Sequence, residues 1–167
     1  MKKIILIFAI ALFGLNSMKA QDVKGIIKVN PIGFAFGIFN VNYEKPLNEK
    51  NSFAIGANYY NYGSVGVSGF GLSGEYRFYF SKNTTAPEGL FGAPIVNLSS
   101  LSYDNGSNGT ETAFSFGGGV KGGYQWVWDS GVALDLYFGY GFRSANFDSY
   151  NYTGGYPILG LAIGYAF

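Results

Sequence analysis

Leu159 to Phe167 reads L-G-L-A-I-G-Y-A-F, with Leu159, Leu161, Ile163, Tyr165 and Phe167 on one side of an extended chain and only Gly160, Ala162, Gly164 and Ala166 on the other. Strict alternation is strand periodicity. One face is uniformly large and apolar, and the other is uniformly small. The large face needs an extensive apolar surrounding, and the small face suits a crowded space. Lipid outside and a narrow lumen inside satisfy both.

Seven further segments extend the pattern toward the N-terminus. The first, about Gly25 to Phe34, sets Ile27, Val29 and Pro31 against Lys28 and Asn30, with a bulge or phase slip expected at Pro31 because proline lacks a ladder donor. Phe39, Val41 and Tyr43 then alternate with Asn40, Asn42 and Glu44, and Phe53, Ile55, Ala57 and Tyr59 with Ala54, Gly56 and Asn58. A fourth strand places Leu72, Gly74, Tyr76, Phe78 and Phe80 opposite Ser73, Glu75, Arg77 and Tyr79. Leu90 to Leu98 is a fifth, its phase left open by Pro94. The sixth turns Phe114, Phe116, Val120, Tyr124, Trp126 and Trp128 outward and Ser115, Gly117, Gly119, Lys121 and Gln125 inward; the seventh turns Val132, Leu134, Leu136, Phe138, Tyr140 and Phe142 outward and Asp135, Tyr137 and Arg143 inward. Between them, Tyr60 to Gly71, Ser99 to Thr112 and Ser144 to Gly155, rich in Asn, Ser, Gly and Tyr, read as loops. The connections after the second and sixth strands are short. Those after the third, fifth and seventh are longer. The predicted fold is all-β: an eight-stranded antiparallel up-and-down transmembrane β-barrel following a signal peptide.

The start of the chain fits that destination. Lys2 and Lys3 precede the apolar run Ile4 to Leu15, and small and polar residues lead to Ala20, the layout of a secretory signal peptide over residues 1–20 with the barrel domain over 21–167. The apolar run is shorter than the roughly 20 residues of a spanning helix. Its removal takes away Lys2, Lys3 and Lys19 and turns a formal charge of +1 into −2, so electrostatics give no case for a nucleic-acid partner. Composition is 19% aromatic and 13% charged, against about 25% charged for an ordinary soluble domain. Export and barrel architecture together give the cell outer membrane as the location and its lipid as the surrounding partner.

Strand parity puts both ends of the mature chain on the periplasmic side. Tyr43, Phe53, Phe78, Phe80, Trp126, Trp128, Tyr165 and Phe167 then fall at the periplasmic ends of their strands, all on the apolar face, as an interfacial girdle would. A soluble barrel with these aromatics inside would expose strands of almost only Gly and Ala to water.

E-Y-R-F-Y-F-S (Glu75 to Ser81), A-P-E-G (Ala86 to Gly89), G-Y-Q-W (Gly123 to Trp126), S-G-V-A-L-D-L (Ser130 to Leu136) and G-L-A-I-G-Y-A-F (Gly160 to Phe167) resemble a family of small Bacteroidota outer-membrane barrels carried as a domain of unknown function, OmpA/OmpX-like in architecture. The resemblance implies insertion by the barrel-assembly machinery through the C-terminal strand. Leu159, Leu161, Ile163, Tyr165 and Phe167 would serve as its assembly signal. It brings no catalytic or binding residue.

Neither histidine nor cysteine is present, which removes the usual general base and the usual transition-metal ligands, so no enzyme activity, metal or cofactor is expected. The notable set is the inward charges Lys28, Glu44, Glu75, Arg77, Lys121, Asp135 and Arg143. Eight strands leave an interior just wide enough for side chains, so these charges must pair across the lumen. A salt-bridged plug of the lumen is the expectation, because small barrels fill with side chains, and a narrow charged channel is the alternative. The role is accordingly a structural or surface-interaction one, with an accessory subunit of a larger outer-membrane complex and a narrow channel as alternatives. Loop aromatics such as Tyr59, Tyr60, Tyr62, Phe147, Tyr150 and Tyr152 offer another place for recognition.

Overall fold

The structure is a computed structural model that describes residues 23–63, 66–104, 109–146 and 151–167. The signal-peptide reading of residues 1–20, and the loop residues Phe147 and Tyr150, lie outside the described residues. The strands are β1 (Ile26–Val29), β2 (Ile38–Asn48), β3 (Asn51–Tyr62), β4 (Val67–Tyr79), β5 (Gly89–Asp104), β6 (Thr110–Val127), β7 (Val132–Asn146) and β8 (Asn151–Ala166), joined in sequence order into a closed antiparallel barrel. Closure leaves no free sheet edge at the level where β1 pairs with β8, as a strand-built membrane wall requires. Large apolar side chains line the outside, among them Leu72, Val96, Val120, Phe138 and Leu159, the last 74% exposed. Ala, Ser, Gly and the charged residues turn inward. The fold is that of a transmembrane β-barrel.

Two features depart from the sequence-based expectation. The first strand does not continue to Phe34: it stops at Val29, and Pro31–Ala35 forms a short helix, α1. Asn30 caps it, its side-chain oxygen accepting from the Gly33 N–H at 3.0 Å, and Pro31 occupies the first turn where its missing donor costs nothing. Gly37 then returns the chain with φ +73°, a position where a Cβ would fall 2.1 Å from the Asn61 carbonyl. Proline therefore starts a helix here where a bulge was expected.

The segments expected as loops are largely strand. Leu101 pairs with Ala113, Ser68 with Ser102 and Ser144 with Thr153, so β4 to β8 run well past the apolar band. Beyond the apolar band the outer face turns polar, as at Ser100 and Ser102, and the apolar alternation that reveals a strand fades although the inner face stays buried at Ser99 and Leu101. The phase of β5 is also settled. Phe91, Ala93, Asn97 and Ser99 point inward, while Leu90, Pro94, Val96 and Leu98 point outward. The β4–β5 ladder skips the residues opposite Ala93 and Pro94, resuming at Phe78 and Gly92.

The connection between β4 and β5 folds under the barrel. Ala86 and Pro87 are buried, and Ala86 packs with Tyr79, Phe91 and Ala93. This floor accounts for a turn that is longer than the other two at this end.

Candidate functional site in the barrel lumen

The lumen divides into two levels with different chemistry. At the lower level, nearer the chain termini, six of the seven expected charges form one network. Lys28 Nζ lies 2.5 Å from Glu44 Oε2 and 3.0 Å from Asp135 Oδ2. Arg77 reaches Asp135 Oδ2 at 2.8 Å, Glu75 Oε1 at 2.9 Å and Glu44 Oε2 at 3.2 Å. Lys121 Nζ completes it at 2.8 Å from Glu75 Oε2. Three cations meet three carboxylates, so the cluster is neutral. Arg77, Lys28, Glu44 and Asp135 are each at most 1% exposed.

Neutral groups supply further partners, as buried charges demand, although Arg77 Nε and Asp135 Oδ1 are left without a hydrogen bond. Gln125 is the hub: its Oε1 accepts from Lys28 Nζ at 2.6 Å and from Arg77 Nη1 at 3.0 Å, while its Nε2 donates to the Pro87 carbonyl at 2.5 Å. Tyr79 OH donates to Glu44 Oε1 at 2.6 Å, and Ser52 Oγ donates to the same oxygen. The Arg77 guanidinium lies 4.3 Å from the Phe91 ring centroid, and Lys121 Nζ 4.0 Å from that of Tyr137. Small residues make room for this packing. A Cβ on Gly160 would sit 2.2 Å from the Tyr137 ring, and one on Gly164 would sit 2.5 Å from the Lys28 stem. Gly117 and Gly119, although inward in the alternation, make no such room: a Cβ there would meet the backbone of β7.

Gln125 was legible as inward-facing, but not as the hub, because an amide carries no charge signal. Ser52 falls on the lumen side one position outside the alternation recognised for its strand. Phe91 was hidden by the open phase of β5.

The seventh charge, Arg143, stands apart. It lies higher in the lumen, between Tyr60 and Tyr156, each ring centroid 5.4 Å from its guanidinium carbon. Among the described residues it forms no ion pair, and its buried Nε has no hydrogen-bond partner. Tyr60, expected in a recognition loop, is 4% exposed and faces the lumen. Around Arg143 the barrel interior opens into a cavity of about 560 Å³ that Lys121, Glu75, Tyr137 and Asn97 also line.

On the outside, Tyr43, Phe53, Phe78, Phe80, Trp126, Trp128, Tyr165 and Phe167 all lie at the lower end, and Tyr43 stacks on Phe167 at 6.4 Å. The C-terminal strand keeps its alternation, with Leu159, Leu161, Ile163, Tyr165 and Phe167 outward and Gly160, Ala162 and Ala166 buried. Another aromatic belt, not evident from the sequence, surrounds the upper end. Phe34 packs on Phe39 at 4.5 Å, Tyr59 on Phe70 at 4.9 Å and Tyr140 on Phe142 at 5.4 Å.

With a closed barrel bounded by two aromatic belts in place, residues 5–160 match the family of proteins of unknown function designated DUF3575. The chain belongs to that family. The match supports the resemblance read from the strand motifs, and it brings no assigned activity. No curated protein matches the sequence. Among solved structures, the crystal structure of neisserial surface protein A (NspA) is similar, with a TM-score of 0.60 and 15% identity over 86% of this chain and 93% of that one. At this identity the likeness concerns the fold. For this DUF3575 member, as for NspA, that fold is one small barrel spanning nearly the whole chain.

Proposed function

We propose that this protein is a non-enzymatic barrel of the cell outer membrane with a structural or surface-interaction role, its lumen sealed at the periplasmic level by the charge network. The observation that carries the reading is the six-charge cluster itself. Its members are buried, mutually neutralised and backed by Gln125, Tyr79 and the Pro87 carbonyl. An ion crossing this level would have to displace contacts of 2.5 to 3.2 Å between opposite charges. That favours a plug over a channel, since small barrels fill with side chains whereas large ones leave pores.

The lower aromatic set would be the periplasmic girdle, and the outward row of β8 the signal read by the assembly machinery. A signal peptide over residues 1–20 would deliver the chain, leaving Gln21 as the mature N-terminus. The absence of histidine and cysteine from the sequence supports a non-catalytic role.

Planar-bilayer recording of the purified, heat-modifiable barrel tests the proposal. Baseline current at ±100 mV is expected, on the order of the bare bilayer, as a side-chain-filled eight-stranded lumen implies. Reproducible unitary conductance that changes with Arg77→Ser would replace the plug by the narrow channel. Co-purification of a stoichiometric partner from native membranes would favour the accessory-subunit reading.

A further inference from the structure

The wall of the barrel is incomplete at its upper level. β1 contributes only four ladder pairs to β2 and four to β8, ending at Val29 opposite Val41 and Ile163. Above that point, among the described residues, Asn151–Ala162 of β8 have no strand partner on the β1 side, and α1 stands in the gap instead. Pro157 falls in this stretch, as prolines in sheets do on edge strands. At roughly 2.5 Å of height per tilted residue, the six residues from Ala162 down to Pro157 span about half of an apolar band about 25 Å tall. An uncovered strand edge at that depth is expensive in hydrocarbon, and α1 is too short to pair with it.

The cavity around Arg143 reaches this gap. Its lining includes Ile32 and Phe36 on and just after α1, and Pro157 and Leu159 on β8. Leu159 is an outward, lipid-facing residue, and Phe36 is 68% exposed. The cavity therefore opens sideways toward the lipid as well as upward. Its inner end carries the Arg143 guanidinium, whose Nε, like that of Arg77 below, has no hydrogen-bond partner, while Lys121 is already engaged by Glu75. One cation without an ion-pair partner among the described residues, and apolar side chains at the lateral exit, match a molecule with one anionic head and one chain.

We propose that the upper lumen binds a single-chain anionic amphiphile of the long-chain fatty-acid class, its carboxylate held by Arg143 and its chain leaving the barrel between α1 and β8. A guanidinium fork suits a carboxylate in bidentate geometry. The volume, within the usual range for small-molecule sites, suits one chain and is too small for a multi-chain lipid. The proposal rests on the membrane-spanning reading of the barrel and is independent of whether the lower level conducts.

Native mass spectrometry of the full-length barrel released from a neutral detergent provides the test, with hexadecanoate, hexadecan-1-ol and acetate as probes. Hexadecanoate is expected to form a one-to-one adduct, at least about tenfold tighter than the alcohol, and acetate is expected not to compete. Arg143→Gln should bring hexadecanoate down to the level of the alcohol, a loss of about tenfold or more for a charge-assisted contact. Leu159→Trp, at an exposed position that leaves the lumen packing alone, should lower retention of the chain several-fold. A diazirine at the chain terminus should label Ile32, Phe36 or Leu159. Equal binding of acid and alcohol, full competition by acetate, or unchanged retention in Arg143→Gln would overturn the carboxylate site. Unchanged retention in Leu159→Trp, or labelling only of the opposite wall near Leu72, would overturn the lateral exit. Heat-dependent gel migration of each variant, run alongside, separates these outcomes from failure of the barrel reading itself.

Discussion

The lower and upper halves of the lumen are built by the same eight-strand wall yet treat charge in opposite ways. Below, three cations and three carboxylates cancel, and amide, hydroxyl and aromatic groups occupy the remaining positions around them. Above, one arginine is held by two tyrosine rings in an open cavity. On the proposed reading, the barrel is sealed where opposite charges meet across it. It is open where the wall gives way to a helix and, among the described residues, one charge has no counter-charge.

The largest difference between the two levels is expected on removing one arginine from each. Arg77→Met leaves Glu44, Glu75 and Asp135 short of a buried partner and is expected to cost about 3–5 kcal/mol. Arg143→Met loses two ring contacts and is expected to cost about 1–2 kcal/mol. Urea unfolding of the barrel in lipid vesicles measures both, and equal losses would mean that the two levels are not energetically distinct. Crowding gives a further contrast. Gly160→Ala drives a methyl group into the Tyr137 ring and should cost about 1–3 kcal/mol in the same assay, whereas an unchanged midpoint would show that the lower lumen has slack.

The smallest effect lies outside the lumen, in the turn beneath it. Partial burial, and then the nearby Asp129 charge, raise the Glu88 carboxyl above its ordinary value. A raised carboxyl favours the protonated, folded state, so its effect on stability is unfavourable once pH rises through the folded value. Glu88→Gln is expected to shift the unfolding midpoint up slightly in weakly alkaline buffer and not at all below a pH of about 4. A comparable shift in acid would point to a packing effect instead.

How much of this was legible depended on the surroundings of each residue. The strands flanked by lipid on one side and lumen on the other, such as β7 and β8, declared themselves, because only there does alternation between large apolar and small or charged residues have a physical cause. On the upper hairpins the outer face is polar and no longer contrasts with the inner one, so Ser99 to Thr112 resembled a loop although Ser99 pairs with Ser115 and both are buried. Pro31 signalled an interruption without its form, since proline is equally at home in a bulge and in a first helical turn. All seven charges were readable as inward-facing from alternation. Their division into six and one was not, because it depends on height along the barrel, set by register and by the early end of β1.

The native sequence contains no cysteine, which makes thiol labelling of the lumen the most direct test of the sealed and open levels. Ser73→Cys, lining the upper cavity, and Ser52→Cys, beside Glu44 in the lower network, would be exposed to a charged, membrane-impermeant maleimide in folded proteoliposomes. Rapid modification is expected at position 73, and none at position 52 until the barrel is unfolded. Comparable rates at the two positions would contradict that distinction.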